Sequence, residues 1–393
     1  TGGYNVGQTQ GMSINNDLLL TGKKSFGKFN IEYLAGGTIY YNKSDNMNAN
    51  TVGGISVPGF FSLKASVNAA AVNESLYRIQ VNSLYGRMGF SWNKLIYVEA
   101  TGRNDWSSTL PADTRSYFYP SVAGSFVISE LLPASTKNWL DLLKVRSSWT
   151  MSKTPAGIYA INSSYTVTSA TWNTLNGASL PTSLYPEGLK PASANTFEIG
   201  LQGMIFKNRL MADVSYYSKR MYDGIIAGQI TPASGYTGIY TNTEEETTRR
   251  GWELTLNGTP IRSGDWQLDL GLNWSTFARY YTKLDPVFSA KRPWVQVGER
   301  IDAYVSQDFL RRPETGELIV NSSGRIIYSG YNTNFGWSDP DWLWGANANL
   351  KYKNFSLFLS FDGVIGGLMG TRTESYMWQI GVHPESVTPE RAL

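Results

Sequence analysis

Apolar side chains recur at every second position over much of this chain, and that periodicity is the signature of strands with one apolar face. In 28–41, KFNIEYLAGGTIYY, Phe29, Ile31, Tyr33, Ala35, Ile39 and Tyr41 share one face. Asn30, Glu32, Gly36 and Thr38 take the other, with Leu34 and Tyr40 as exceptions. The same alternation runs through 84–92, 95–103, 143–151, 196–205, 209–219, 251–257, 266–275 and 344–352. In these segments Glu99, Arg146, Asp213, Glu253 and Asp269 all fall in the polar set. Counting the less regular segments, about twelve strands are expected, and the chain reads as all-β and antiparallel.

Alternation does not say which face is wet. A soluble barrel or sandwich hides the apolar set inside. A membrane barrel turns it out to lipid and keeps the polar set in a wet lumen. Connection lengths separate the two. Very short turns fall at Asn93-Lys94, Lys207-Asn208 and Lys353-Asn354, and modest ones near 261–265 and 131–141. Long polar stretches fall near 42–74, 104–117, 153–194, 221–247 and 279–340. Short alternating with long is the pattern of outer-membrane barrels, with short periplasmic turns and long external loops. Soluble domains rarely carry several loops above about 15 residues.

Composition agrees. Aromatics are 13% of the chain and charged residues 17%, below the roughly 25% charge of soluble domains. Trp92, Tyr119, Trp252, Trp266, Trp274, Trp344 and Tyr352 stand near proposed strand ends, and many of them are read as an interfacial girdle facing outer-membrane lipid. The net charge of +3 is scattered, and no basic run predicts nucleic-acid binding. There is no cysteine and one histidine, His383, so thiolate metal sites and Ser-His-Asp chemistry have no support. No nucleotide loop, dinucleotide fingerprint or metal-ligand spacing is present, and neither a cofactor nor an enzyme is expected. Two rivals remain for the residues alone: a soluble glycan-binding β-sandwich and a secreted glycoside hydrolase, for which Asp339 and Asp341 are the nearest carboxylate pair.

Several blocks, in order, resemble the SusC/RagA-like TonB-dependent outer-membrane transporters. They are GRNDWSSTLP…SYFYPSVAGSFVISE (102–130), LKVRSSWTMS (143–152), GLKPASANTFEIGLQGMIFKNRLMADVSYYSKRMYDGII (188–226), GWELTLNGTPIRSGDWQLDLGLNWS (251–275) and DPDWLWGANANLKYKNFSLFLSFDGVIGG (339–367). The resemblance implies a large barrel with an N-terminal plug and a SusD-like surface lipoprotein as lid. It also implies import of oligosaccharides, or in some members oligopeptides, driven by TonB through the plug. No plug, TonB box or aromatic-ended final strand is recognised. Residues 1–393 are therefore expected to be the middle part of such a barrel wall in the Gram-negative outer membrane.

Candidate ligand contacts fall at the long-loop ends of strands and in the loops. Arg103, Asp105 and Trp106 form one group, and Asp339 and Trp342 a second. For these, a clamp of indole faces and carboxylates on sugar competes with plain loop anchoring, and anchoring is the favoured reading. Trp172, Tyr185, Tyr236, Tyr240, Trp294, Tyr331 and Trp337 are loop candidates. Glu99, Arg146, Asp213, Glu253 and Asp269 are expected to face the lumen, touching plug or substrate.

Overall fold

A computed structural model of the chain describes residues 2–133, 135–172, 175–185 and 187–386; side chains of 168–172 and 176 are outside it. In chain order the strands are β1 (Asn5–Phe26), β2 (Phe29–Ile55), β3 (Ser66–Trp92), β4 (Ile96–Ser107), β5 (Ser116–Val127), β6 (Leu140–Thr154) and β7 (Thr166–Trp172). Next come β8 (Leu175–Ser179), β9 (Ser183–Leu184), β10 (Ala192–Ile205), β11 (Leu210–Tyr222), β12 (Ile225–Gln229) and β13 (Gly238–Asn242). The last are β14 (Glu246–Ser263), β15 (Trp266–Lys283), β16 (Ala303–Phe309), β17 (Tyr328–Trp337), β18 (Trp342–Tyr352) and β19 (Phe355–Ile365), followed by helix α1 (Arg372–Ile380). Twelve form one sheet in the order β1-β2-β3-β4-β5-β6-β10-β11-β14-β15-β18-β19. By contacts the chain divides into Thr1–Thr248 with Thr282–Ala290, and Arg249–Tyr281 with Lys291–Leu393.

In the first unit the strands β1–β6, β10 and β11 of the large sheet meet their neighbours antiparallel. Gly27 turns β1 into β2 with φ 58°, a left-handed conformation that glycine adopts without strain. The alternation now has a direction. Leu84, Met88, Phe197, Ile199 and Leu201 are exposed on one face; Leu84 is 61% accessible. A soluble barrel would bury these side chains. The compact apolar cluster lies instead at the connections: Leu110, Tyr117, Ala156 and Leu189 are buried together against Tyr119, Ala160, Ile161 and Ile225.

The second unit repeats the pattern. Leu270 and Leu272 on β15 and Phe355, Leu357, Leu359 and Phe361 on β19 are exposed. Trp266 stacks on its cross-strand partner Tyr352 at 4.2 Å, and Trp344 covers Gly363, where an added Cβ would stand 2.3 Å from the indole. Among the described residues no helix is long and apolar enough to cross a membrane; the strands are what can cross it.

Three expectations need correction. The 42–74 stretch is not a loop: β2 and β3 continue through most of it, leaving 56–65 as the connection. These residues, NKSDNMNAN at 42–50 among them, are polar on both faces of the strand and carry little alternation, so their hydropathy looked like a loop. For the same reason β1 was missed. Tyr119 is not in the girdle: it pairs with Arg103 on the polar face. The long stretches at 153–194, 221–247 and 279–340 do connect sheet strands, and they carry β7–β9, β12–β13 and β16–β17 as small structures of their own.

Candidate functional site

The polar face of the first unit carries ion pairs joined across strands. Lys23 on β1 meets Glu32 on β2 at 2.8 Å, and Arg87 on β3 meets Glu99 on β4 at 2.6 Å. Arg146 on β6 donates from Nη1 to Asp213 Oδ2 on β11 at 2.7 Å and lies 3.5 Å from Glu198 on β10. Arg146 and Asp213 are two strands apart. Gly200, directly opposite Arg146 on the strand between, leaves the passage open; a Cβ there would stand 2.7 Å from the guanidinium carbon. Glu32, Arg87, Glu99, Arg146 and Glu198 line a cavity of about 510 Å³ together with Lys144. Matched opposite charges let a polar wall face a water-filled or protein-filled interior without isolated charge.

Farther from the short turns, Arg103 Nε donates to Asp105 Oδ1 at 2.7 Å, and Tyr119 Oη donates to Asp105 Oδ2 at 2.7 Å. Arg103 Nη2 also reaches Ser83 Oγ at 3.0 Å, and its guanidinium lies 5.6 Å from the Tyr85 ring centre. Asp105 is buried while Arg103 remains partly open. The buried cluster of Leu110 and Tyr117 adjoins this network through Tyr119.

A second knot lies within the second unit. Arg279 grips Asp339 with two bonds of 2.7 and 2.9 Å. Arg300 grips Asp302 at 3.0 and 2.7 Å and lies 4.7 Å over the Trp337 ring. The two pairs join where Asp339 N donates to Asp302 Oδ2 at 3.0 Å. Burial alone would raise the Asp302 pKa, but Arg300 and the Asp339 amide hold it below the usual carboxylate value.

A further carboxylate, Asp285, ties connections of the first unit. It accepts from Thr243 Oγ1 at 2.9 Å and from the backbone N–H groups of Glu244, Val287 and Phe288 at 2.8, 2.8 and 2.9 Å. Burial opposes ionisation, but these donors outweigh it and bring the pKa down to about 2.

The anticipated residues are distributed unevenly. Glu99, Arg146 and Asp213 lie on the polar face of the first unit as expected, and Asp269 lies on that of the second, accepting from Thr259 at 2.8 Å. Glu253 is exposed with the parity of Thr255 and Thr259. Arg103 and Asp105 meet, but Trp106 points to the opposite face beside Leu18 and Leu84, because adjacent strand residues alternate. Asp105 and Trp106 cannot close on one ligand as a pair. Asp339 and Trp337 join the second knot, while Trp342 belongs to the apolar parity of β18. Tyr236 is half-buried in a connection, and Tyr185 stacks on Tyr240 at 5.2 Å. Trp172 ends β7, and its side chain lies outside the described residues.

Glu32, Arg87 and Glu198 were visible as polar members of alternating strands and were passed over, while Lys23 lies on β1, which alternation did not reveal. Arg279 carried no local signal, since its partner Asp339 is remote in sequence, and Arg300, Asp302 and Asp285 fall in a stretch that reads as a loop. The carboxylates of both knots are held by arginine. Among the described residues no group of three or more metal-binding side chains gathers.

Comparison with known proteins supplies the context for this geometry. Residues 1–364 match the family model described as TonB dependent receptor-like, beta-barrel. The TonB-dependent receptor P26 of Formosa agariphila is 23% identical over 351 residues, 78% of this chain and 34% of that protein. The TonB-dependent receptor SusC of Bacteroides thetaiotaomicron is 22% identical over 307 residues, 71% of this chain and 30% of that protein. The chain therefore spans about a third of these curated relatives. Among solved structures, the RagAB peptide transporter superposes with a TM-score of 0.75 at 20% identity, covering 92% of this chain and 42% of that one. The outer membrane transporter YddB from Escherichia coli gives 0.53 at 12% identity, covering 97% and 44%. At such identities the structural likeness speaks for the fold.

Proposed function

The chain belongs to the TonB-dependent receptor-like β-barrel family, and from that premise we propose that it forms one arc of the wall of an outer-membrane importer of oligosaccharides. Its location is the outer membrane. In this reading the polar face lines a lumen, a plug domain occupies that lumen, TonB energises transport through the plug, and a SusD-like surface lipoprotein closes the mouth. The single observation that carries the proposal is the two-faced sheet: exposed Leu, Ile and Phe on one side, paired charges on the other.

Sheet edges support the placement as an arc. Among the described residues β1 pairs only with β2, and β19 only with β18. In hydrocarbon the free N–H and C=O groups of such edges cost several kcal/mol each, roughly, so further strands must cover them. The ion-paired wall suits contact with a plug, since pairing within the wall leaves it stable when a plug shifts.

Oligopeptide import is the second reading. It is favoured by the likeness to RagAB, a peptide transporter by name. Native mass spectrometry of the full-length complex, purified in detergent from its own cells, tests both. A partner lipoprotein and a retained ligand with hexose or pentose mass spacing would support glycan import. A heterogeneous peptide population would replace it with peptide import. A water-soluble protein without partner would refute the transporter reading.

A further inference from the structure

β2 and β3 are each 27 residues long, about 90 Å at about 3.3 Å per residue. A tilted strand crosses the membrane with about 9–11 residues. The portions nearest the short turns, Gly27-Lys28 and Asn93–Leu95, are enough for that. Residues 40–55 and 66–81, with the first half of β1, therefore form a three-stranded ribbon beyond the membrane on the long-connection side.

The pairing register is unbroken from Asn5 to Phe26 in β1 and from Phe29 to Asn50 in β2, so the two faces of the ribbon are defined. Within 5–16, 40–50 and 71–82 every charged side chain, Lys43, Asp45, Glu74 and Arg78, has outer-face parity. The inner face continues the lumenal parity and carries Asn42, Asn46, Asn48, Asn50 and Asn73 with hydroxyl residues between them. Three tyrosines descend the same face. Tyr77 is opposite Ser44, Tyr40 opposite Val81, and Tyr85 opposite Gly36, which spaces them about 13 Å apart along the strands. Tyr85 ends the series beneath the Arg103 guanidinium.

We propose that this inner face is a track for uncharged oligosaccharide, leading to the Arg103–Asp105–Tyr119 cluster. A side-chain amide both donates and accepts, as sugar hydroxyls do, and tyrosine rings offer flat faces for pyranose stacking. A face with no charge over this height offers no counter-ion to uronates, sulfates or charged peptide side chains. The track rests on the glycan reading above and narrows it to neutral chains.

Binding to the full-length protein in detergent tests the track, with mannoheptaose, xyloheptaose and maltoheptaose as neutral probes. An oligogalacturonate and a tryptic casein digest are the anionic and peptide probes. At least one neutral probe is expected to bind. Tyr77→Ala and the pair Asn46→Asp with Asn48→Asp should each weaken it tenfold or more. Tyr77→Phe, which keeps the ring, and Arg78→Gln on the outer face should stay within twofold. Heat-modifiable gel mobility reports folding of each variant. Neutral binding untouched by the track variants overturns the track and leaves glycan import standing. Binding confined to the anionic or peptide probe, or no binding of any neutral probe, overturns the neutral-glycan assignment itself.

Discussion

Arg146 on β6 bridges to Asp213 on β11 at 2.7 Å by passing over Gly200 on the strand between them. One guanidinium thus fastens three strands, and it does so because the middle one has no side chain at the crossing. Gly200→Val should push the guanidinium aside and leave Asp213 short of its partner, at a cost of about 1–2 kcal/mol. Asp213→Asn should cost a similar amount, and the double variant little more than either, because both remove the same bond. Denaturant unfolding of the full-length protein from lipid vesicles checks the cycle; full additivity would mean that the bridge contributes nothing.

Asp302 is the anchor of the second knot, its side chain wholly inaccessible beside Arg300. Asp302→Ala leaves Arg300 buried without its partner and should destabilise the connection by about 3 kcal/mol. Asp339→Ala should cost less, since Arg279 is partly open to water. Limited trypsin digestion after Arg311 reads the difference: cleavage should quicken most in Asp302→Ala.

Asp285 makes the loop tether pH-dependent. Its folded pKa, about 2, lies below the ordinary 3.8. A depressed carboxylate contributes its stability fully above the unfolded value and loses it as pH falls through the folded one. The tether should hold above about pH 4 and weaken from there towards pH 2. Hydrogen exchange at the Val287 and Phe288 amides, corrected for intrinsic rates, should show protection falling across that window. Asp285→Asn should flatten the pH dependence.

Much of the sheet was legible because lipid on one side and a polar interior on the other impose strict alternation, as in β10, where Phe197, Ile199 and Leu201 oppose Glu198 and Gln202. Where both faces are wet that constraint disappears, and β1 with the outer halves of β2 and β3 read as loop. The wall charges were legible one at a time, Glu99, Arg146 and Asp213 among them, but not their pairing, since the contact of Arg146 with Asp213 passes over a glycine on the strand between. The knots were opaque for a further reason. Asp302 and Asp339 stand 37 residues apart and meet through the path of a loop, which no local spacing encodes.

The outward face of β10 should be sensitive to charge only in a membrane. Leu201→Arg places a cation among Phe197 and Ile199 and should cost about 2–4 kcal/mol if it lies near mid-bilayer. Gln202→Arg, on the polar face, should cost under about 1 kcal/mol. Folding equilibria in lipid vesicles compare them directly.

The central claim is that the exposed apolar set faces lipid and the ion-paired set faces a wet interior. The most direct test places single cysteines at successive positions from 196 to 202 in the full-length protein, spin-labels each, and reconstitutes it in bilayers. This chain supplies no native cysteine to interfere. Paramagnetic accessibility to oxygen, which concentrates in lipid, and to a water-soluble nickel chelate is then compared along the strand. The account predicts a period of two, with oxygen reaching 197, 199 and 201 and nickel reaching 196 and 202. Nickel reaching all positions alike, or the reverse alternation, would contradict it.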